Sequence, residues 1–225
     1  MSSQNAKAIN LEGRELNYDL NLASDAERVF SAPCKFVIGV TDYTIFPPPE
    51  LPEFAFIGRS NVGKSSLLNA LVKQKALARV SVTPGRTQQV NFFRLGDFAM
   101  LVDLPGYGFA KAPKNLVKAW ERMSLGYLKN RTSLKRLFLL IDARHGFKKN
   151  DLEFMAQLDK FAISYQIVLT KLDKTNREQV DSIISFAKEE IIFHASMFPD
   201  IILSSSKQGY GIIDLRTYVY NAILS

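Results

Sequence analysis

Beyond residue 50, short apolar runs alternate with longer segments of helical periodicity. Residues 54–58 are followed by 65–73, the runs 90–95 and 98–103 by 115–129, and 137–143 by 151–161. The series closes with 165–170 before 177–193, and 201–205 before 212–224. Strands covered on both faces read as continuous apolar runs, and their alternation with helices predicts a mostly parallel sheet between two helical layers. The class is α/β in three layers, with a six-stranded sheet. Only Gly96-Asp97 separates the runs 90–95 and 98–103, which suits a tight hairpin and makes one edge strand antiparallel.

Residues 1–45 lack this pattern. They suggest one short helix, 25–30, and lead into Phe46-Pro47-Pro48-Pro49-Glu50-Leu51-Pro52, where the prolines favour extended backbone. The expected division is an N-terminal extension with a Pro-rich linker, 1–50, and a nucleotide-binding domain, 51–225. The chain has 225 residues with 47% hydrophobic and 23% charged side chains, a composition that fits a globular protein and excludes fibrous or low-complexity classes. The single cysteine, Cys34, has no partner for an internal disulfide, and no Cys/His spacing resembles a zinc site. With no apolar leader and no run long enough to span a bilayer, a cytoplasmic protein without membrane association is expected. The first 50 residues carry a net charge of −3, so the rest holds +10 of the formal +7. That surplus favours polyanionic partners, RNA first.

The chemistry begins at Gly58-Arg59-Ser60-Asn61-Val62-Gly63-Lys64-Ser65, a G-x-x-x-x-G-K-[ST] motif between a predicted strand and a predicted helix. Glycines let the backbone wrap a phosphate chain and successive N–H groups supply positive potential. Lys64 can reach the β and γ phosphates, and Ser65 can ligate Mg2+. Asp103-Leu104-Pro105-Gly106 ends the run 98–103, placing a carboxylate where open α/β sheets gather their ligands. Asp103 is a second candidate for Mg2+, and the Gly106 N–H a candidate contact for the γ-phosphate.

Thr170-Lys171-Leu172-Asp173 follows another strand-like run and distinguishes GTP from ATP. A carboxylate at Asp173 can accept two hydrogen bonds from guanine N1 and N2, while adenine would leave it unpaired. The Lys171 stem can cover the base. Thr170 stands where many guanine-binding proteins carry Asn. Ser204-Ser205-Ser206 ends the last run, where a backbone N–H would meet guanine O6, although serines there also suit a helix cap.

In this order the motifs resemble translation-factor-like GTPases from residue 53 to 224. In detail they resemble the EngB family of ribosome-biogenesis GTP-binding proteins: 58–66 including Ser66, Pro84-Gly85-Arg86-Thr87-Gln88, Asn91-Phe92-Phe93, Asp103-Leu104-Pro105-Gly106-Tyr107-Gly108 and Asp142-Ala143-Arg144-His145-Gly146. The resemblance implies a GTPase acting in large ribosomal subunit assembly and needed for normal cell division and septation. It also implies that Gly85, Arg86, Thr87, Gln88 and Gln89 lie beside the nucleotide, with Thr87 sensing the γ-phosphate and completing the Mg2+ site. By residue type alone Thr83 competes with Thr87.

Many GTPases orient the attacking water with a Gln directly after the D-x-x-G glycine. Here that residue is Tyr107. Lys64 and Gly106, with Thr87 as the resemblance implies, form the expected catalytic set; Gln88 or Gln89 could stand in for the missing Gln, and slow intrinsic hydrolysis of GTP to GDP is expected. Asn61 resembles a position that accompanies K+ beside the phosphates in some GTPases, and it can equally stabilise its loop. Between 111 and 136 lie Lys111, Lys114, Lys118, Arg122, Lys129, Arg131, Lys135 and Arg136 against Glu121 alone. Contact with rRNA of a large-subunit precursor and a plain solvated helix both account for them. A GTP-dependent interaction module for division or membrane processes, without ribosome contact, is the alternative function. No heptad segment asks for a partner, so a monomer is expected.

Overall fold

The structure, a computed structural model, describes residues 9–10, 20–75, 77–78, 89–108 and 114–225. Its strands are β1 (Ile9–Asn10), β2 (Cys34–Val40), β3 (Glu53–Gly58), β4 (Val90–Leu95), β5 (Ala99–Asp103), β6 (Leu134–Asp142), β7 (Tyr165–Thr170) and β8 (Asp200–Leu203). Its helices are α1 (Leu20–Val29), α2 (Lys64–Leu71), α3 (Lys114–Asn130), α4 (Lys149–Lys160), α5 (Arg177–Glu190) and α6 (Ile212–Leu224).

The strands form one sheet in the order β1-β8-β7-β6-β3-β5-β4-β2. Parallel pairing joins β8, β7, β6, β3 and β5; at one side β4 is antiparallel to β5 and β2 antiparallel to β4, and at the other β1 is antiparallel to β8. Alternating strand residues enter opposite cores, as the period of two requires. Ala55, Ile57, Leu139 and Ile141 meet the layer containing α3, α4 and α5. Phe54, Phe56, Phe138 and Leu140 meet α1, α2 and α6.

The α/β class and the 96–97 hairpin agree with expectation, but the sheet is wider than six strands. Residues 34–40 form β2, which pairs with β4 across a bulge at Phe36/Ile38, so the hairpin strand β4 is internal and β2 takes the edge. Phe36, Val37 and Ile38 are successive residues and all exposed, so no in-out alternation marks β2 in the sequence. Upstream of β2, α1 packs on α6 through the buried Arg216. This guanidinium contacts Glu27, donates to the carbonyls of Leu71 (2.8 Å) and Ala70 (3.1 Å), and lies over Phe30.

The Pro-rich stretch is fastened by Arg131, which donates to the Pro47 carbonyl at 2.7 Å and grips the buried carboxylate of Glu53. Tyr127 donates to the same carboxylate at 2.7 Å. Arg136 lies 3.4 Å over the Phe198 ring and donates to Gln166 at 3.1 Å. Arg131 and Arg136, counted among cations available to RNA, are therefore engaged within the fold. Their spacing on the chain could not show that their partners lie 78 and 30 residues away. His194 likewise has a local role, with Asp159 at 2.5 Å and Glu190 at 3.4 Å.

Candidate functional site

Because β3, β5, β6, β7 and β8 run parallel, their carboxyl ends share one edge. The register sets Phe56 beside Asp103 and Asp142 beside Thr170. Every motif that ends a strand therefore opens onto the same crevice.

After β3 the chain turns through residues 59–63 into α2, with Asn61 at φ 62° and Gly63 at φ 104°. The left-handed backbone at Gly63 suits glycine, which has no Cβ to clash there. Gly63 is the N-cap and carries no capping side chain, so the first-turn N–H groups of α2 keep their capacity for an anion. Lys64 reaches from this turn to the Asp103 carboxylate at the end of β5. Ser65 follows it, partly exposed.

A hydroxyl and a carboxylate on one crevice are hard oxygen donors. Among the described residues no group of three or more His, Cys, Asp or Glu could cage a metal. That donor set fits Mg2+, which takes one or two protein oxygens and completes its shell with phosphates and water.

The Asp103–Gly106 segment lies tightly on the phosphate loop. A Cβ on Gly106 would come within 2.8 Å of the Gly58 carbonyl, so only glycine fits without displacement. Leu104 N–H donates to Phe56 (3.0 Å) and Tyr107 N–H to Gly58 (3.3 Å). The Tyr107 side chain departs from the loop. Its ring stacks on Phe154 of α4, centroids 4.6 Å apart, and its hydroxyl donates to Asp151 at 2.7 Å. Asp151 is buried, also accepts from the Lys148 N–H at 2.7 Å, and has Arg59 at 3.7 Å. Burial raises the Asp151 carboxyl above its ordinary value although all three neighbours oppose the rise.

At the opposite end of the loop, Thr170 donates to the carbonyls of Val62 (2.7 Å) and Ile141 (3.3 Å). This residue ties the phosphate loop to the sheet, so Thr in place of Asn still supplies a bond that holds the site together. Lys171, at φ 62°, turns its ammonium to the Asn61 carbonyl and to Asp142. Asp173 accepts from the Ser205 hydroxyl at 2.7 Å. Ser204 is buried and bonds Leu169 through both N–H and hydroxyl, at 2.7 and 2.8 Å, while its carbonyl accepts from Leu172 N–H. Ser206 follows at the partly exposed rim.

The fold thus brings together 58–66, 103–106, 170–173 and 204–206. Gly85, Arg86, Thr87 and Gln88 lie outside the described residues, as does the competing Thr83. Gln89 is exposed at the start of β4 with its side-chain oxygen packed over Gly39 of β2. Of the basic segment, Lys111 and the side chains of Lys114 and Lys118 are also outside the described set, Arg122 and Lys135 are exposed, and Lys129 lies 3.5 Å over the Phe161 ring. Sequence reasoning had no role for Asp151 or Asp142. The second was findable, because it ends an apolar strand just as Asp103 does.

Residues 53–171 match the profile of a family described as "50S ribosome-binding GTPase". A probable GTP-binding protein EngB from Bartonella quintana is 48% identical over 209 residues, covering 89% of this chain and 97% of its own. The corresponding protein of Rhodospirillum rubrum is 51% identical over 193 residues, 84% of each chain. The chain belongs to the EngB family of P-loop GTPases. A solved structure titled as a probable GTP-binding protein engB superposes with a TM-score of 0.59 at 25% identity, covering 76% of this chain and 98% of that one. As an EngB-family member the chain is a GTPase: it binds GTP and GDP with Mg2+ and hydrolyses GTP. Among the described residues no helix is long and apolar enough to cross a membrane.

Proposed function

We propose that this EngB-family GTPase is a slow, GTP-gated switch in assembly of the large ribosomal subunit, working in the cytoplasm as a monomer and needed for normal cell division and septation. The observation that carries the slow rate is Tyr107. In the position from which many GTPases orient water, this side chain is spent on Asp151 and Phe154. Turnover by the isolated protein should be on the order of 10⁻⁴ to 10⁻³ s⁻¹, the range of GTPases without a partner's contribution. The ribosomal assignment draws on the family's description and on the basic surplus outside the extension.

In this reading Lys64 leaves Asp103 for the β and γ phosphates when nucleotide enters. Ser65, Thr87 and Asp103 would hold Mg2+, which would supply positive charge to the phosphates. The N–H groups of 58–66 line the phosphate chain, Gly106 meets the γ-phosphate, and 85–89 are assigned beside the nucleotide by family resemblance alone. Asp173 reads guanine while Lys171 and Leu172 flank the base and Ser204 to Ser206 close on O6. The Ser205 hydroxyl pre-orients the Asp173 carboxylate, so less freedom is lost on binding.

Co-sedimentation with large-subunit precursors in GTP, GDP and a non-hydrolysable analogue tests the switch. GTP-dependent association that weakens steeply with salt supports it. Equal association in all three states refutes the nucleotide gating, and no association in any state leaves the alternative of an interaction module for division without ribosome contact. A contribution of K+ at Asn61 predicts faster hydrolysis in K+ than in Na+ buffer, and equal rates with and without ribosomal particles exclude it.

A further inference from the structure

The Asp142-Ala143-Arg144-His145-Gly146 segment takes no part in the mechanism above, yet it ends a central strand beside the base-recognition residues. Parallel pairing sets Asp142 against Thr170, the residue before Lys171. The loop that follows is tightly held: Ala143 N–H donates to the Thr170 carbonyl, and the N–H groups of His145 and Gly146 both donate to the Asp142 carbonyl, all at 3.0 Å. Its geometry is therefore set by the sheet.

The Asp142 carboxylate, a tenth exposed, has two cationic partners. Lys171 Nζ donates to Oδ2 at 2.9 Å. Arg144 closes on the other side as a fork, Nη2 to Oδ2 at 2.7 Å and Nε to Oδ1 at 3.0 Å, while its own N–H donates to Oδ1 at 3.0 Å. Burial by itself would raise this carboxyl, but the bonds from Arg144 and Lys171 outweigh it and hold it down at about 2. The group is an anion throughout the working pH range.

Lys171 needs such an anchor. A lysine stem is rich in rotamers, and a stem that walls a base must be stationary before the base arrives. The Asn61 carbonyl supplies one acceptor. A second, charged acceptor fixes the direction of the stem, and the Arg144 fork keeps that acceptor from rotating.

We infer that Asp142, braced by Arg144, is a positioning residue for guanine nucleotide binding: it fixes the Lys171 stem against the base without touching the nucleotide. This rests on the reading of Lys171 and Asp173 as the base site. Two consequences separate it from a general role in stability. Its loss acts only through Lys171, and it weakens all purine nucleotides alike, because the stem stacks on the ring and does not read the guanine edge.

The test is the dissociation rate of fluorescently labelled GDP and IDP from Asp142→Asn, Arg144→Lys, Lys171→Ala, Asp142→Asn with Lys171→Ala, and Asp173→Asn. Asp142→Asn should release both nucleotides about tenfold faster, the loss expected of one charge-assisted hydrogen bond. Arg144→Lys, at a partly exposed position that folding tolerates, should give about threefold. Asp142→Asn should add less than twofold in the Lys171→Ala background, and the GDP to IDP ratio should stay as in the parent. Unchanged dissociation from Asp142→Asn, or an equal tenfold effect without Lys171, overturns the inference while leaving the base site intact. Asp173→Asn, by contrast, should collapse the GDP to IDP ratio; an unaltered ratio there overturns the base-site reading and this inference with it.

Discussion

Replacing Arg131 with Ala separates a structural cation from an RNA-binding one. The Arg131 side chain is 7% exposed and its partner Glu53 1%. Nε donates to both carboxylate oxygens, at 2.9 and 2.8 Å, Nη2 donates to one of them, and Nη1 holds the Pro47 carbonyl. Truncation leaves a buried carboxylate with one remaining side-chain donor, Tyr127 at 2.7 Å. Removing one member of a buried ion pair costs about 3–5 kcal/mol. The surviving tyrosine bond puts this case near the lower end, about 3 kcal/mol. In a chain of this size each kcal/mol shifts Tm by about 2–4 °C, so a fall of about 6–12 °C is expected. The assay is thermal unfolding at fixed nucleotide concentration, because bound nucleotide itself raises Tm. The double variant Glu53→Met, Arg131→Met should recover most of the loss, since it strands no charge. A fall below 2 °C for Arg131→Ala, with binding to ribosomal particles lost, would refute the argument and return Arg131 to the RNA-facing surface.

Asp173→Asn should weaken GDP by about a thousandfold and improve binding of xanthosine diphosphate, read by equilibrium titration, because the amide presents a donor where guanine also donates. Tyr107→Phe strands one oxygen of buried Asp151, costing about 1–2 kcal/mol and lowering Tm by roughly 2–8 °C, while single-turnover hydrolysis stays within threefold. Asp142 has a folded-state value of about 2, below its ordinary 3.8, so its contribution to stability is present above that ordinary value and is lost as pH falls through about 2. Urea midpoints of parent and Asp142→Asn should therefore converge between pH 5 and pH 2.5, and a constant gap would count against the Arg144 and Lys171 bonds as its source. Asp151 runs the other way. With its carboxyl raised by burial, its favourable contribution holds below 3.8 and fades as pH rises through the folded value, so Asp151→Asn should lose least against the parent near neutral pH.

The α/β class, the 96–97 hairpin and the strand-end motifs were legible without coordinates, because each is written in contiguous residues. An apolar run that stops at Asp103 or at Thr170 specifies both a buried strand and the group at its mouth, and the parallel arrangement then delivers those mouths to one edge. Which partners the side chains take depends on contacts made when the chain folds. Tyr107 meets Asp151 across 44 residues, Lys171 meets the phosphate loop across 110, and Arg216 meets Glu27 across 189. A cation's position on the chain gives its charge but not its surroundings, so Arg131 looks the same in sequence whether it faces RNA or Glu53. The edge strand β2 was hidden for a related reason. Its backbone bonds to β4 stabilise it in the sheet, while three of its apolar side chains face water, and hydrogen bonds between distant main chains leave no pattern in the residues that make them.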